Sequence, residues 1–114
     1  MSSCIFCRIV AREIPAEIVH ENDHVLAFRD LRPVAPTHVL VIPKRHIDAI
    51  REAEDTDAEL LGHVMIGARD AAKKLGVAAS GYRVVVNNGD DAGQTVFHLH
   101  AHVLAGRGLA WPPG

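Results

Sequence analysis

Phe97-His98-Leu99-His100-Ala101-His102-Val103-Leu104 sets three imidazoles at alternate positions, each separated from the next by an apolar residue. In an extended chain, residues i, i+2 and i+4 share a face. The spacing therefore predicts a row of rings on one side of a β-strand, about 6.5–7 Å apart, with Leu99, Ala101 and Val103 turned to a core. A strand merely facing solvent would more usually carry Thr, Lys or Glu there. Neutral imidazole, with an ordinary pKa of about 6.5, is both a nucleophile and a proton carrier near neutrality. One ring can attack phosphorus or a carbonyl carbon while its neighbours hold anionic oxygens or protonate a leaving group. The loop upstream favours phosphorus. Gly89 and Gly93 permit close backbone approach, and Gln94 and Thr95 bring polar donors beside the row.

Metal binding competes with this reading, because His-x-His on a strand also ligates zinc or iron, usually with a further ligand. Cys4-Ile5-Phe6-Cys7 is a separate half-site, with two thiolates at zinc spacing and two ligands short of a tetrahedron. A thioredoxin-type redox pair would need a βαβ setting, and no strand is predicted before it. Plain reduced thiols are the third alternative. Eight histidines make a Cys2His2 site attractive, but the spacing does not say which two contribute.

These residues must be positioned by a modest set of elements. Residues 4–10 read as one or two helical turns, with Ile5, Phe6 and Ile9 on an apolar face. Residues 17–20 and 24–29 read as strands joined by a tight turn at Glu21-Asn22-Asp23. A proline-punctuated loop follows, then the apolar strand His38–Ile42, which Pro43 stops; residues 46–52 suit a short helix. Thr56-Asp57-Ala58-Glu59 reads as a capping box opening the longest helix. Its stripe of Leu60, Leu61, Val64, Met65, Ala68, Ala72 and Leu75 ends at Gly76. His63 on that helix reads as structural. Residues 82–87 form a fourth strand and the histidine segment a fifth. Five strands with short connections and one long helix predict an α+β domain: an antiparallel sheet covered by helices.

The 114 residues, 48% of them hydrophobic, fit one domain spanning 1–114 with a core that needs no disulfides. A net charge of −2 argues against a nucleic-acid-binding protein, although a local phosphate pocket is compatible with it. There is no apolar run of membrane-spanning length and no recognisable signal peptide, so the expectation is a cytoplasmic protein without a membrane partner.

The His98–Leu104 pattern, His-φ-His-φ-His-φ-φ with φ apolar, resembles the histidine-triad (HIT) superfamily. The likeness extends through Gly93–Phe97, Gly106-Arg107 and the terminal Trp111-Pro112-Pro113-Gly114. Upstream it takes in Leu26–Asp30 and Pro36–Lys44, so it covers essentially the whole chain and points to the Hint branch of purine nucleoside phosphoramidases. That resemblance implies a HIT-like fold and a homodimer whose two sheets join. It also implies hydrolysis at the α-phosphorus of a purine nucleoside 5′-phosphoramidate or related nucleotidyl ester. His100 would be the nucleophile, forming a nucleotidyl-histidine, with His102 and His38 beside the phosphate. Gln94 and Thr95 would bond phosphate oxygens, Asn87 the phosphate or ribose, and Asp30 the ribose hydroxyls. Phe6, Ile9, Phe28 and Leu31 would enclose the base.

Many bacterial relatives carry structural zinc on an N-terminal Cys-x-x-Cys together with two histidines, and the resemblance implies Cys4, Cys7, His46 and His98 as the ligands here. In this family the C-terminal tail, here with Trp111, approaches the partner subunit's site; Ala110 stands where some relatives have a larger polar residue, and Phe97 replaces a frequent Tyr. The alternatives are the dinucleoside-polyphosphate hydrolase branch, against which the Trp-Pro-Pro-Gly ending speaks, and a non-catalytic nucleotide-binding regulatory dimer.

Overall fold

A computed structural model describes residues 3–114, so the first two residues of the expected 1–114 domain lie outside it. The elements are helix α1 (Ile5–Val10), strands β1 (Ile18–Glu21), β2 (Val25–Arg29) and β3 (Thr37–Pro43), helix α2 (Ala58–Lys74), and strands β4 (Tyr82–Val85) and β5 (Ala101–Ala105). Two single 3-10 turns, Ile50–Glu52 and Asp55–Asp57, lead into α2. The strands form one antiparallel sheet in the order β1-β2-β3-β5-β4. The predicted α+β architecture is the one observed. Among the described residues no helix is long and apolar enough to cross a membrane.

Strand alternation divides the core between two faces. Val25, Ala27, Val39, Val41, Ala101 and Val103 pack with Leu99 against Val64, Ala68 and Ala71 of α2. Leu26, Phe28, Leu40 and Ile42 face the other way and are covered by Phe6 and Ile9 of α1. Ile5 is exposed, so only two of the three apolar residues assigned to that helix face are buried. The α2 contact is close because position 67 lacks a side chain. A Cβ on Gly67 would stand 2.9 Å from Val25 Cγ2 and 3.0 Å from Val41 Cγ1.

Four local expectations are corrected. The capping box lies two residues earlier than Thr56–Glu59: Glu54 and Asp57 cap each other's backbone amides, because the chain enters α2 through the Asp55–Asp57 turn. The helix expected over 46–52 shrinks to Ile50–Glu52. The carbonyls of Ile47 and Asp48 are instead taken by Leu99 N and Gln94 Nε2. β4 ends at Val85, two residues short of the predicted strand. The fifth strand begins only at Ala101, leaving His98 and His100 in an irregular lead-in that bends at 96–98. Its register pairs Val41 with Ala101 and, continued, would set Pro43 opposite Leu99, but proline has no amide for the ladder.

The β1–β2 turn is closed as expected, with Asn22 Oδ1 accepting from the amides of His24 and Val25 at 2.8 and 3.0 Å. His24 then stacks on His63 of α2, with ring centroids 3.7 Å apart. The packing role expected of His63 is thus its observed contact.

Candidate active site and metal centre

The face of the sheet opposite α2 collects the functional side chains. Leu40 of β3 pairs with His102 of β5, and His38 with Leu104, so His38 and His102 are diagonal neighbours on one face. Their rings meet through Nε2 of His38 and Nδ1 of His102 at 2.9 Å. The amide of Val34 donates to His38 Nδ1 at 3.1 Å. That leaves the hydrogen of a neutral His38 on Nε2, where it is shared between His102 Nδ1 and the carboxylate of Asp30, 3.5 Å away. His102 accepts on Nδ1, so its own hydrogen sits on Nε2. Burial, with His100 and His38 nearby, lowers the His102 pKa to about 4, so the ring is neutral near pH 7.

His100 is fixed in the complementary tautomer. Its Nδ1 lies 2.8 Å from the carbonyl oxygen of His98, which can only accept, so Nδ1 carries the hydrogen and Nε2 keeps its lone pair. Burial lowers its pKa as well. The chain thus presents one imidazole as a bare lone pair and the next, with ring centroids 5.0 Å apart, as an N–H donor. That is the pairing a displacement at phosphorus requires, with one nitrogen to attack and another to hold an anionic oxygen.

The first histidine of the row turns elsewhere. His98 is fully buried, and its Nε2 donates to the carbonyl of Pro43 at 2.8 Å. Its Nδ1 faces Cys4 Sγ at 3.3 Å, Cys7 Sγ at 3.5 Å and His46 Nδ1 at 3.1 Å. His46 in turn donates from Nε2 to the Asp48 carboxylate at 2.6 Å. Both imidazoles therefore carry their hydrogens on the outer nitrogens and aim lone pairs at one point, where no hydrogen bond can join them. All four donor atoms lie within 4.8 Å of one another. A tetrahedral metal with bonds of about 2.0–2.3 Å needs ligand atoms about 3.3–3.8 Å apart. The donor set, the spacing and the outer hydrogen bonds to Pro43 and Asp48 together fit a metal ion.

Beside the histidines lies an apolar cavity of about 430 Å³, walled by Phe6, Ile9, Phe28, Leu40 and Val96, with Asp30 and Leu31 at its rim. Phe6, one of its walls, meets His100 edge-on, ring centroids 5.2 Å apart. Asp30 Oδ1 accepts from the amide of Arg32 at 2.7 Å.

A HIT-domain pattern matches residues 11–109. The chain belongs to the HIT family. It is 51% identical over 110 residues to a HIT-like protein of Synechocystis, covering 96% of each chain. Among solved structures it is similar to a HIT family hydrolase from Legionella pneumophila, with a TM-score of 0.95, 49% identity, and coverage of 98% of this chain and 100% of that one. A histidine triad nucleotide-binding protein from Candida albicans matches with a TM-score of 0.82 and 34% identity over 96% of this chain and 83% of the other.

In this HIT protein the loop expected to hold phosphate departs from expectation at Gln94. The side chain of Gln94 is buried and turned inward. Oε1 accepts from the amide of Gly89 at 2.9 Å, while Nε2 donates to the carbonyls of Asp48 and Val96 at 2.8 and 3.2 Å. Both of its hydrogens are used inside the chain, so Gln94 braces the loop and leaves no side-chain donor for a phosphate. Thr95, next to it, is exposed, and Asn87 is half-buried where the loop begins. Trp111 is 81% exposed, on a tail whose Leu109 and Ala110 carbonyls accept from Arg83. Sequence reading missed Asp48, Val34 and Pro43. Asp48 carried a signal, a carboxylate two residues from His46. Val34 and Pro43 act through backbone groups, which no residue type announces.

Proposed function

We propose that this HIT protein hydrolyses purine nucleoside 5′-phosphoramidates, or related nucleotidyl esters, through a covalent nucleotide on His100. The observation that carries this reading is the orientation of His100, whose Nδ1–H is tied to the His98 carbonyl so that Nε2 keeps its lone pair, and whose ring meets Phe6, a wall of the apolar cavity that Asp30 also lines. The base enters the slot between Phe6, Ile9, Phe28 and Leu31, and Asp30 accepts from the ribose hydroxyls. Nε2 of His100 forms a bond to the α-phosphorus as the P–N bond of the substrate breaks, and the amine leaves with a proton drawn from solvent, which the attacking water of the second step returns. Water then attacks phosphorus, the P–Nε2 bond breaks, and a nucleoside monophosphate is released. His102 donates from Nε2 to a phosphate oxygen, held in that tautomer by His38. Thr95 and Asn87 reach the phosphate and ribose, with Gln94 shaping the loop between them. The solved relatives named hydrolase and nucleotide-binding protein support this class of chemistry.

Zinc is the metal for Cys4, Cys7, His46 and His98, because two sulfurs and two imidazoles suit it. With four protein ligands it supplies a cross-link between α1 and the segments flanking β3 and β5, not a Lewis acid. A thiol-containing site of this kind belongs in a reducing, cytoplasmic setting. The active species is a homodimer, and the exposure of Trp111 accords with a tail that reaches a partner's site.

Mass spectrometry of protein quenched during turnover of adenosine 5′-phosphoramidate should find a nucleotidyl adduct on His100, and His100→Ala should lose both adduct and turnover. Wild-type turnover by His100→Ala would refute the assignment. Preferential cleavage of diadenosine polyphosphates would move the protein to the sister branch, and tight nucleotide binding with no adduct would make it a regulatory dimer.

A further inference from the structure

His46, Ile47 and Asp48 are consecutive, and each is tied to a different part of the site. His46 offers Nδ1 to the metal cluster and donates from Nε2 to its neighbour Asp48. The carbonyl of Ile47 accepts from Leu99 N at 2.7 Å, which fixes the lead-in carrying His98 and His100. The carbonyl of Asp48 accepts from Gln94 Nε2, and Gln94 Oε1 holds Gly89, which fixes the loop that leads to Thr95. Asp48 therefore orients a metal ligand with its side chain and anchors the substrate loop with its main chain.

We propose that Asp48 is a positioning residue through which metal occupancy and nucleotide binding are coupled, with Gln94 as the link to the loop. The physical reason lies in the two imidazole lone pairs 3.1 Å apart. With a metal they are held together by coordinate bonds, whereas without one only weak thiol–imidazole hydrogen bonds from Cys4 and Cys7 offset their repulsion, and segment 46–48 relaxes. That shifts the carbonyls on which Gln94 and Leu99 depend. A nucleotide that orders the loop must then hold the segment in the metal-binding arrangement, because coupling between two ligands is reciprocal. The inference rests on the nucleotide reading of the site, and the test separates the two.

Zinc-loaded protein is mixed with a chromophoric chelator, and metal release is timed with and without adenosine monophosphate at a concentration shown by NMR titration to saturate. The nucleotide should slow release at least about fivefold in the wild type, the lower end of ordinary coupling. In Gln94→Ala and in Gln94→Glu, which can still accept from Gly89 but cannot donate to Asp48, the slowing should fall below about twofold. Asp48→Ala should weaken zinc binding about 10–100-fold, with Asp48→Asn recovering most of it. Unchanged release in the wild type despite bound nucleotide would overturn the coupling. Equal slowing in the wild type and a folded Gln94 variant would overturn the route. No nucleotide binding at all would overturn the functional reading instead.

Discussion

His38 donates its Nε2 hydrogen to Nδ1 of His102 across 2.9 Å, and the backbone amide of Val34 enforces the direction of that bond. Removing the imidazole of His38 therefore frees His102 to choose the other tautomer, in which its Nε2 can no longer donate. His38→Phe keeps an aromatic ring on the sheet and should lower kcat about 10²-fold, in the range expected for a lost acid–base or donor group. KM should change less, because the apolar cavity proposed for the base is untouched. A steady-state comparison on adenosine 5′-phosphoramidate checks this, and unchanged kcat would separate His38 from the chemistry.

The burial of His102 also sets a pH dependence of stability. Unfolded, the ring titrates near 6.5; folded, desolvation with His100 and His38 nearby lowers it to about 4, against the small opposing pull of Asp30. Between those values the unfolded chain binds more protons, so acid favours unfolding. The contribution of His102 is complete above about pH 6.5 and is lost as pH falls toward 4. Thermal melts of zinc-loaded protein across this window should show Tm falling with acidification, and His102→Asn should flatten part of the slope. An identical slope in the variant would remove His102 as a cause.

Much of this arrangement was legible in the residues. Alternation correctly turned Leu99, Ala101 and Val103 toward α2, and the apolar strand read over His38–Ile42 is observed as β3, in the middle of the sheet. The inequivalence of the three histidines followed from family resemblance, and the distances around His98 agree with it. What stayed hidden depends on contacts made across the fold. The lead-in leaves the ladder because Pro43, distant in sequence, has no amide. Gln94 turns inward because a carbonyl from Asp48, 46 positions away, takes its hydrogen. Neither consequence can be seen from the local sequence of the loop.

Phe6 serves the core and the site at once. It is buried and meets Phe28, His98 and His100 edge-on, with ring centroids 5.6, 5.8 and 5.2 Å apart. Phe6→Ala should cost about 3–5 kcal/mol through lost transfer energy and an uncollapsed cavity. Phe6→Leu should cost appreciably less. Chemical denaturation of the zinc-loaded proteins measures both, and a loss below 1 kcal/mol for the alanine variant, on the same scale, would show that α1 does not depend on this ring.

At Gly67 the helix is pressed against Val25 and Val41, both fully buried and stiff about their Cα–Cβ bonds. Gly67→Val forces two branched methyl groups into a space already too small for one carbon. The gain in helix propensity is at most about 1 kcal/mol, so overpacking, at about 1–3 kcal/mol or more, wins. A lower Tm with turnover per folded molecule retained is expected. A stabilised variant would mean that α2 can lift from the sheet without penalty.

Helix α1 has six residues, too few to hold its shape by its own hydrogen bonds. Two things pin it: Phe6 and Ile9 buried on the sheet, and Cys4 and Cys7 directed at the metal cluster. Chelation, or Cys4→Ser, removes the second while leaving the first. Amide exchange should then accelerate locally, at Arg8 and Ala11, whose bonds to the Cys4 and Cys7 carbonyls close the helix. Amides of β2 and β3, buried between both layers, should exchange at unchanged rates. Because α1 also covers the inner wall of the apolar slot, nucleotide affinity should weaken with the same loss of metal. Uniform acceleration across sheet and helix would indicate that the metal supports the whole fold, and no acceleration at all would show that apolar burial alone holds α1.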